Sequence, residues 1–260
     1  MIVRTAENYS VPELKKLWKT VFGDTDEYIS LFFSSKFKPE NTFIIENNGL
    51  KSMAFAVEEK IDSYRCAYIC GVATDSRYRG MGYSSDIMNF MLNTLEKRGY
   101  DMAFLIPASG SLFGFYEKYG FRNFSYLKRR TVFRNNAISD AEFSEEYDYK
   151  KLNRFYTEYF EAVLPKRDEK SFGAIYDCYG NVRIYKSGYI IYYVEKDVLY
   201  INEHTMGDIE PYAGKLMTDT NTAKAVVSEF DADGETPFSM VYYFKDIEFN
   251  KPVYINLMLN

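Results

Sequence analysis

The sequence predicts a mixed α/β (α+β) fold arranged as two successive domains, and three observations support this prediction. Helical and strand-like hydrophobic patterns alternate along the chain. The length of 260 residues is long for one compact domain and comfortable for two. A polar, acidic stretch at residues 135–148 resembles a linker. We therefore expect one domain at 1–134 and a smaller one at 149–260.

The first elements are two helical stretches followed by strands. In residues 11–22 the apolar positions recur at helical spacing, with Ser10 as an N-cap and Pro12 in the first turn. A second helical stretch covers residues 26–37. An Asn-Gly pair between two apolar runs predicts a hairpin turn at Asn48-Gly49. The three strands predicted here cover residues 41–47, 51–60 and 63–74.

The clearest helix of the chain covers residues 82–98, with one apolar face, and Gly99 ends it. A strand at 101–109, a short helix at 111–119 and a strand at 124–134 follow. This order of elements predicts a mixed sheet with one crossover unit.

The second half roughly echoes the first. A helix is predicted at 149–164, and a short helical piece at 208–217. The predicted strands cover residues 181–188, 189–196, 197–205, 224–231, 237–246 and 252–260.

Composition excludes several classes of function. The net charge is −5 and the basic residues are scattered, which is unfavourable for binding nucleic acid. No run of about 18 apolar residues is long enough to span a membrane. The N-terminus has no secretory signal pattern, and three cysteines suit a reducing compartment, so we expect a cytoplasmic protein.

Metal chemistry is not expected either. Cys66 and Cys70 fall in one predicted strand, about 13 Å apart, which is too far for both to bind one metal ion. The chain has a single histidine, His204, so histidine-based acid–base catalysis is equally unfavourable.

One segment carries recognisable chemistry. A strand ends near Thr74, a turn with Arg77, Arg79 and two glycines follows, and a helix then begins. Helix starts have unpaired N–H groups, and glycines allow a ligand to approach the backbone closely. The segment therefore suits a pyrophosphate. A glycine-rich turn with solvated arginines is the alternative that the residues alone leave open.

Two segments of the first half resemble those of GNAT acetyltransferases. Arg79-x-x-Gly82-x-Ser84 resembles the family's Arg/Gln-x-x-Gly-x-Gly/Ala loop, with Ser84 in place of the usual last residue. Residues 111–121 look like the family's closing segment, a Tyr followed by two residues and then aromatic-Gly-Phe. The two matches cover about residues 1–134 and imply a GNAT fold there.

The resemblance implies acetyl-CoA as co-substrate and no metal. The end of the strand would bond the pantetheine arm through its backbone, and the loop would hold the pyrophosphate. Tyr116 would act as the general acid for the departing thiolate. The cofactor-binding residues expected on this basis are Val72, Ala73, Thr74, Arg79, Gly80, Met81, Gly82, Tyr83, Ser84, Ser85 and Ser111.

The role of Tyr116 is chemically reasonable. A phenol of pKa ~10 can donate a proton to a thiolate whose conjugate acid has a pKa of ~8.5. Packing between helix and sheet is the alternative for this residue. Glu46, Glu58 and Glu59 could relay a proton from the amine through water, or could be solvated charges at strand ends.

Within the superfamily, the chain looks nearest to the enhanced intracellular survival acetyltransferases, which carry tandem GNAT domains. The hints are residues 18–33 and the Ser-x-x-Gly-x-Tyr form of 111–116. In that group the terminal carboxylate serves as base, which makes Asn260 a candidate. The second half has an acidic segment at 205–211 where a phosphate loop would stand, so we expect a GNAT-like domain without its own cofactor loop.

Two functions remain open at this point. One is transfer of an acetyl group to a primary amine of a small molecule or peptide by direct attack, because no well-placed cysteine nucleophile is evident. The other is an acyl-CoA-binding regulatory module without transferase activity. The sequence leaves homo-oligomer formation open.

Overall fold

The computed structural model describes residues 2–134 and 142–258. These residues form two compact units. The first unit comprises the described residues up to Phe124 and Phe238–Glu248, and the second comprises those of Ser125–Pro237 and those from Phe249 onward.

Helices and strands of the first unit follow the predicted order closely. Its helices are α1 (Val11–Phe22), α2 (Asp26–Ser35), α3 (Tyr83–Lys97) and α4 (Phe113–Glu117). Its strands are β1 (Ile2–Thr5), β2 (Thr42–Glu46), β3 (Leu50–Ile61), β4 (Tyr64–Thr74), β5 (Met102–Leu105) and, from the far end of the chain, β12 (Pro237–Tyr243).

The first-unit sheet has the strand order β1-β2-β3-β4-β5-β12. Only β4 and β5 run parallel, because α3 connects them as a crossover; the other neighbours are antiparallel. The apolar face of α3 is buried in a core that also holds Phe43, Leu105 and Met240. Burying this stripe against the sheet is what stabilises the helix.

The second unit contains β6 (Arg122–Phe133) and the elements between β6 and β12. Its helices are α5 (Tyr149–Tyr159), α6 (Glu169–Tyr179) and α7 (Glu210–Asp219). Its further strands are β7 (Phe143–Ser144), β8 (Val182–Tyr185), β9 (Tyr189–Glu195), β10 (Val198–His204) and β11 (Lys224–Phe230).

The second-unit sheet has the order β7-β8-β9-β10-β11-β6. Here β10 and β11 are the parallel pair, and α7 connects them. Each unit thus contains an antiparallel meander, one parallel crossover and a last antiparallel strand. The mixed α/β fold class is therefore confirmed.

The division of the chain differs from the linear one expected at residues 134 and 149. Strand β6 follows the first unit in sequence but pairs with β11 of the second, from Leu127 to Phe133. Strand β12 lies near the C-terminus but pairs with β5 of the first unit, from Met240 to Tyr243. Strand β6 therefore belongs to the second unit and β12 to the first, so no single boundary in the sequence separates the two units.

Five elements depart from the sequence predictions. Strand β1 and helix α6 were not predicted, and the two-residue strand β7 lies in the stretch expected to be a linker. The helix expected at 149–164 ends at Tyr159, because Phe160 turns away to stack on Tyr254 at 4.1 Å. The strand predicted at 252–260 is wrong for its described part. Residues 252–258 are irregular apart from two bridges at Val253, because Tyr254 and Asn256 are bonded to a buried polar network.

None of the helices in the described ranges is long and apolar enough to cross a membrane. Across the same ranges, no group of three or more His, Cys, Asp or Glu side chains is arranged to hold a metal ion.

Candidate active site

The candidate site begins where two parallel strands separate. Strands β4 and β5 pair from Cys66 and Met102 to Ile69 and Leu105, where β5 ends. Strand β4 continues to Thr74, paired with β3 on one side only. Backbone groups of this last part of β4 are thus available to an extended ligand, in the way that a peptide adds to a sheet edge.

A β-bulge at Gly71 shapes this strand edge. The register between β3 and β4 shifts between Met53 and Phe55, opposite Gly71. Gly71 has a φ of +57°, and a Cβ there would lie 2.7 Å from a ring carbon of Phe55 and 2.9 Å from one of Trp18. Only glycine fits. The role of Gly71 was not predicted from the sequence, although a lone glycine inside a strand pattern is a signal of a bulge.

The loop after β4 has the conformation of an anion site. Gly80 and Gly82 have φ values of +79° and +83°, and a Cβ at either position would meet no atom within 4 Å. Gly82 is the N-cap of α3, a helix of 15 residues. The N–H groups of Tyr83 and Ser84 have no backbone partner in the described part of the chain. Unpaired N–H groups and open space at a helix start favour a phosphate group.

Hydroxyl groups hold this loop against the strand. Thr74 Oγ1 lies 3.0 Å from Ser84 Oγ and 2.8 Å from Ser52 Oγ. The Tyr119 hydroxyl donates to Ser85 Oγ at 2.5 Å. The Thr74–Ser84 contact fixes the first turn of α3 relative to β4, and the Tyr119–Ser85 bond fixes it relative to the segment after α4. Of the remaining predicted residues here, Val72 is half-buried, Ala73 is fully buried and Met81 is exposed.

The two arginines of the loop have different partners. Arg77 donates twice to Asp75, at 3.1 and 2.7 Å, and this pairing lowers the pKa of the Asp75 carboxyl to about 2. Arg79 makes one long contact, from Nε to the Thr74 carbonyl at 3.4 Å, and its side chain is exposed. Arg79 is therefore the arginine with charge available for a phosphate.

Tyr116 lies on α4 in the first-unit core. Its ring packs edge-on against Phe115 and Phe121, and 7% of the residue is exposed. Its hydroxyl has no hydrogen-bond partner within residues 2–134 and 142–258. Burial raises the pKa of Tyr116 to about 12, so the phenol is protonated at neutral pH. A protonated, unengaged phenol is a suitable general acid.

Ser111 and Asn260 are the two remaining residues predicted for the site. Ser111 is exposed in a 3₁₀ turn, with its Oγ 2.9 Å from that of Ser109. Asn260 lies outside the described residues.

The three strand carboxylates are all held in ion pairs. Glu46 pairs with Arg4 at 2.9 Å, and Glu59 with Lys36 at 2.9 Å. Glu58 pairs with Arg65 at 3.1 Å, and the hydrogen bond from this arginine lowers the pKa of the Glu58 carboxyl. Because each carboxylate has a basic partner, these pairs favour charges at strand ends over a proton relay.

A thiol nucleophile is not available on the central strand. Burial raises the pKa of Cys66 to about 12 and raises that of Cys70 as well. A buried thiol with a raised pKa is a poor nucleophile, since the thiolate is the reactive form.

The first unit matches a known domain family. Residues 2–124 match the sequence profile of the acetyltransferase (GNAT) domain family. No curated protein sequence matches the chain significantly.

Solved structures of low sequence identity share the fold. A probable N-acyltransferase of Enterococcus faecalis is 17% identical, with a TM-score of 0.72 over 94% of this chain and 72% of its own. Eis1 of Mycobacterium abscessus is 10% identical, with a TM-score of 0.59 over 94% and 74%. A GCN5-related N-acetyltransferase of Sphaerobacter thermophilus is 10% identical, with a TM-score of 0.58 over 96% and 98%. The chain therefore has the GNAT fold of these solved structures, and its residues 2–124 match the acetyltransferase (GNAT) domain family.

Proposed function

We propose that the first unit transfers an acetyl group from acetyl-CoA to a primary amine of a small molecule or peptide. The free edge of β4 would bond the pantetheine arm, and the N–H groups at the start of α3 would bind the pyrophosphate with help from Arg79. The observation that carries this proposal is that the parts of the expected cofactor site are consecutive in the chain. The bulge at Gly71, the strand end at Thr74 and the open glycine loop follow one another within a few residues.

The proposed reaction is a direct attack. The lone pair of the neutral amine forms a C–N bond with the thioester carbon, and the C–S bond then breaks. Tyr116 gives its proton to the departing sulfur and regains one from solvent. The amine loses a proton to water, because the strand carboxylates are engaged, or to the terminal carboxylate of Asn260, which stays the candidate base implied by resemblance.

The alternative is an acyl-CoA-binding regulatory module without transferase activity. One observation favours it: all three strand carboxylates that could take the amine proton are held in ion pairs. This alternative predicts acetyl-CoA binding without release of free thiol in the presence of any amine.

The proposal is tested with two matched variants at the two ends of α3. Gly82 and Gly99 both have positive φ, and a Cβ at either one would lie in open space. Gly82→Glu places a carboxylate where the pyrophosphate would bind, whereas Gly99→Glu places it at the far end of the helix. We expect calorimetry to show loss of acetyl-CoA binding only for Gly82→Glu. In a thiol-release assay with a panel of amines, only the proteins that bind acetyl-CoA should be active.

Equal acetyl-CoA affinity of both variants would remove the loop from the proposal. Binding by the wild type without thiol release would favour the regulatory alternative.

A further inference from the structure

The second unit has a cavity at the place that corresponds to the candidate site of the first. Strands β10 and β11 pair from Val198 and Lys224 to Ile201 and Val227, and then separate. A cavity of about 540 Å³ lies at their carboxyl ends, lined by His204, by the loop before α7 and by the end of β11. Ligand sites of small molecules are commonly of this size and commonly lie at the carboxyl ends of parallel strands.

This cavity is unsuited to a phosphate. Gly207, in the loop before α7, lacks the positive φ of the two loop glycines in the first unit. The Asp208 carboxylate accepts the N–H of Glu210 at 3.1 Å, so the helix start is already occupied by an anion of the chain. A second anion would be repelled.

The charges around the cavity favour a cation instead. The lining contains three carboxylates, those of Glu161, Asp208 and Glu229, and one basic group, the guanidinium of Arg130. Arg130 is itself neutralised, by Glu229 at 2.9 Å and by Glu210 at 3.0 Å. The lining therefore has an excess of negative charge.

Aromatic rings form much of the remaining wall. Phe160 and Tyr254, stacked at 4.1 Å, both line the cavity, and Tyr159 lines it while donating from its hydroxyl to the Met206 carbonyl at 2.9 Å. Aromatic side chains are common neighbours of bound organic cations.

His204 adds a hydrogen-bond donor to the lining. The residue is 7% exposed, and its Nδ1 accepts the Met206 N–H at 3.3 Å. The ring proton of the neutral imidazole is thus assigned to Nε2. This N–H has no partner in the part of the chain that the structure describes, which leaves it for a ligand oxygen.

We propose that this second-unit cavity binds a small organic amine cation that also carries a hydroxyl or carbonyl oxygen. The ammonium group would lie beside Glu161 and Asp208, the two lining carboxylates that are not paired with Arg130, and the oxygen would accept the Nε2–H of His204. The aromatic walls would cover the apolar part of the ligand. The site is separate from the acetyl-CoA site and requires no catalysis by the first unit.

The test is calorimetry of the full chain, without acetyl-CoA, using three related probes. Tyramine carries both an ammonium and a hydroxyl group, phenethylamine lacks the hydroxyl, and 4-(2-hydroxyethyl)phenol lacks the charge. We expect tyramine to bind at one site and the uncharged analogue to bind at least about tenfold more weakly, as the loss of a charge-assisted contact predicts.

Variants then locate the site. Asp208→Asn keeps an acceptor for the Glu210 N–H and should weaken tyramine binding about tenfold. The control Glu195→Gln, at an exposed residue of β9, should leave tyramine binding unchanged. His204→Asn should weaken tyramine and leave phenethylamine unchanged. Gly82→Glu, in the first unit, should leave all three probes unchanged.

The proposal is overturned if tyramine does not bind at millimolar concentration or if the uncharged analogue binds as well. It is also overturned if binding is lost in Gly82→Glu and kept in Asp208→Asn, because the amine would then occupy the first unit. A thermal unfolding transition for each variant checks that it is folded. Asp208→Asn should disturb the fold least, because Asp208 is exposed.

Discussion

Substituting Gly71 by alanine should destabilise the first unit more than the same change at any open glycine. The positive φ of +57° costs about 1–2 kcal/mol for a residue with a side chain. The new methyl group would also lie 2.7 Å from Phe55 and 2.9 Å from Trp18, both of them buried. Overpacking of a core costs about 1–3 kcal/mol, which gives a total of about 2–5 kcal/mol.

The matched control is Gly99→Ala. Gly99 has a φ of +74°, and no atom lies within 4 Å of its Cβ position, so this variant carries the backbone cost without the packing cost. Urea unfolding of both variants measures the difference in the free energy of unfolding, which we expect to be about 1–3 kcal/mol. Gly71→Ala should also raise the KM for acetyl-CoA, because the bulge shapes the edge of β4.

Equal stability of the two alanine variants would refute this reasoning, since it would mean that the bulge has room for a side chain. A destabilised Gly71→Ala with an unchanged KM would keep the packing argument and remove the bulge from the cofactor site.

Two further predictions concern buried groups. Glu203→Gln should lower the free energy of unfolding in urea by about 3–5 kcal/mol. The buried Glu203 carboxylate accepts hydrogen bonds from Nη1 and Nη2 of Arg167 and from the hydroxyls of Tyr189 and Tyr254. Glu46→Gln, in a half-exposed ion pair, should lower it by less than about 1 kcal/mol. A pKa raised to about 12 means that Tyr116 stabilises the fold fully below about pH 10 and loses this contribution as pH rises towards 12. The difference in the free energy of unfolding between the wild type and Tyr116→Phe should therefore be constant up to about pH 10 and then fall. A difference that already falls between pH 7 and 9 would contradict a buried, protonated phenol.

Local chemistry explains which parts of the fold could be predicted. Helix α1 has the bounds expected from its apolar spacing, and the loop from Gly80 to Ser85 was predicted because glycines, an arginine and a helix start follow one another in the chain. Such signals need no knowledge of distant residues. The apolar stripe of α3 is likewise buried as its spacing indicates.

Features that depend on distant partners could not be predicted in this way. The strain at Gly71 depends on Phe55 and Trp18, which are remote in sequence. Strand β12 pairs with β5 although more than 130 residues separate them, and no local pattern specifies that partner. Glu203 gives no sign in the sequence that it is buried with Arg167.

The most direct test of the proposed chemistry is the kcat of Tyr116→Phe, measured by thiol release. The phenylalanine keeps the packing against Phe115 and Phe121 and removes only the hydroxyl. General acid catalysis contributes ~10²–10⁴-fold, so kcat should fall by about that factor with little change in the KM for acetyl-CoA. Tyr100→Phe, at another buried tyrosine of the same unit, should leave kcat unchanged. A Tyr116→Phe enzyme with near wild-type kcat would contradict the catalytic role of this tyrosine.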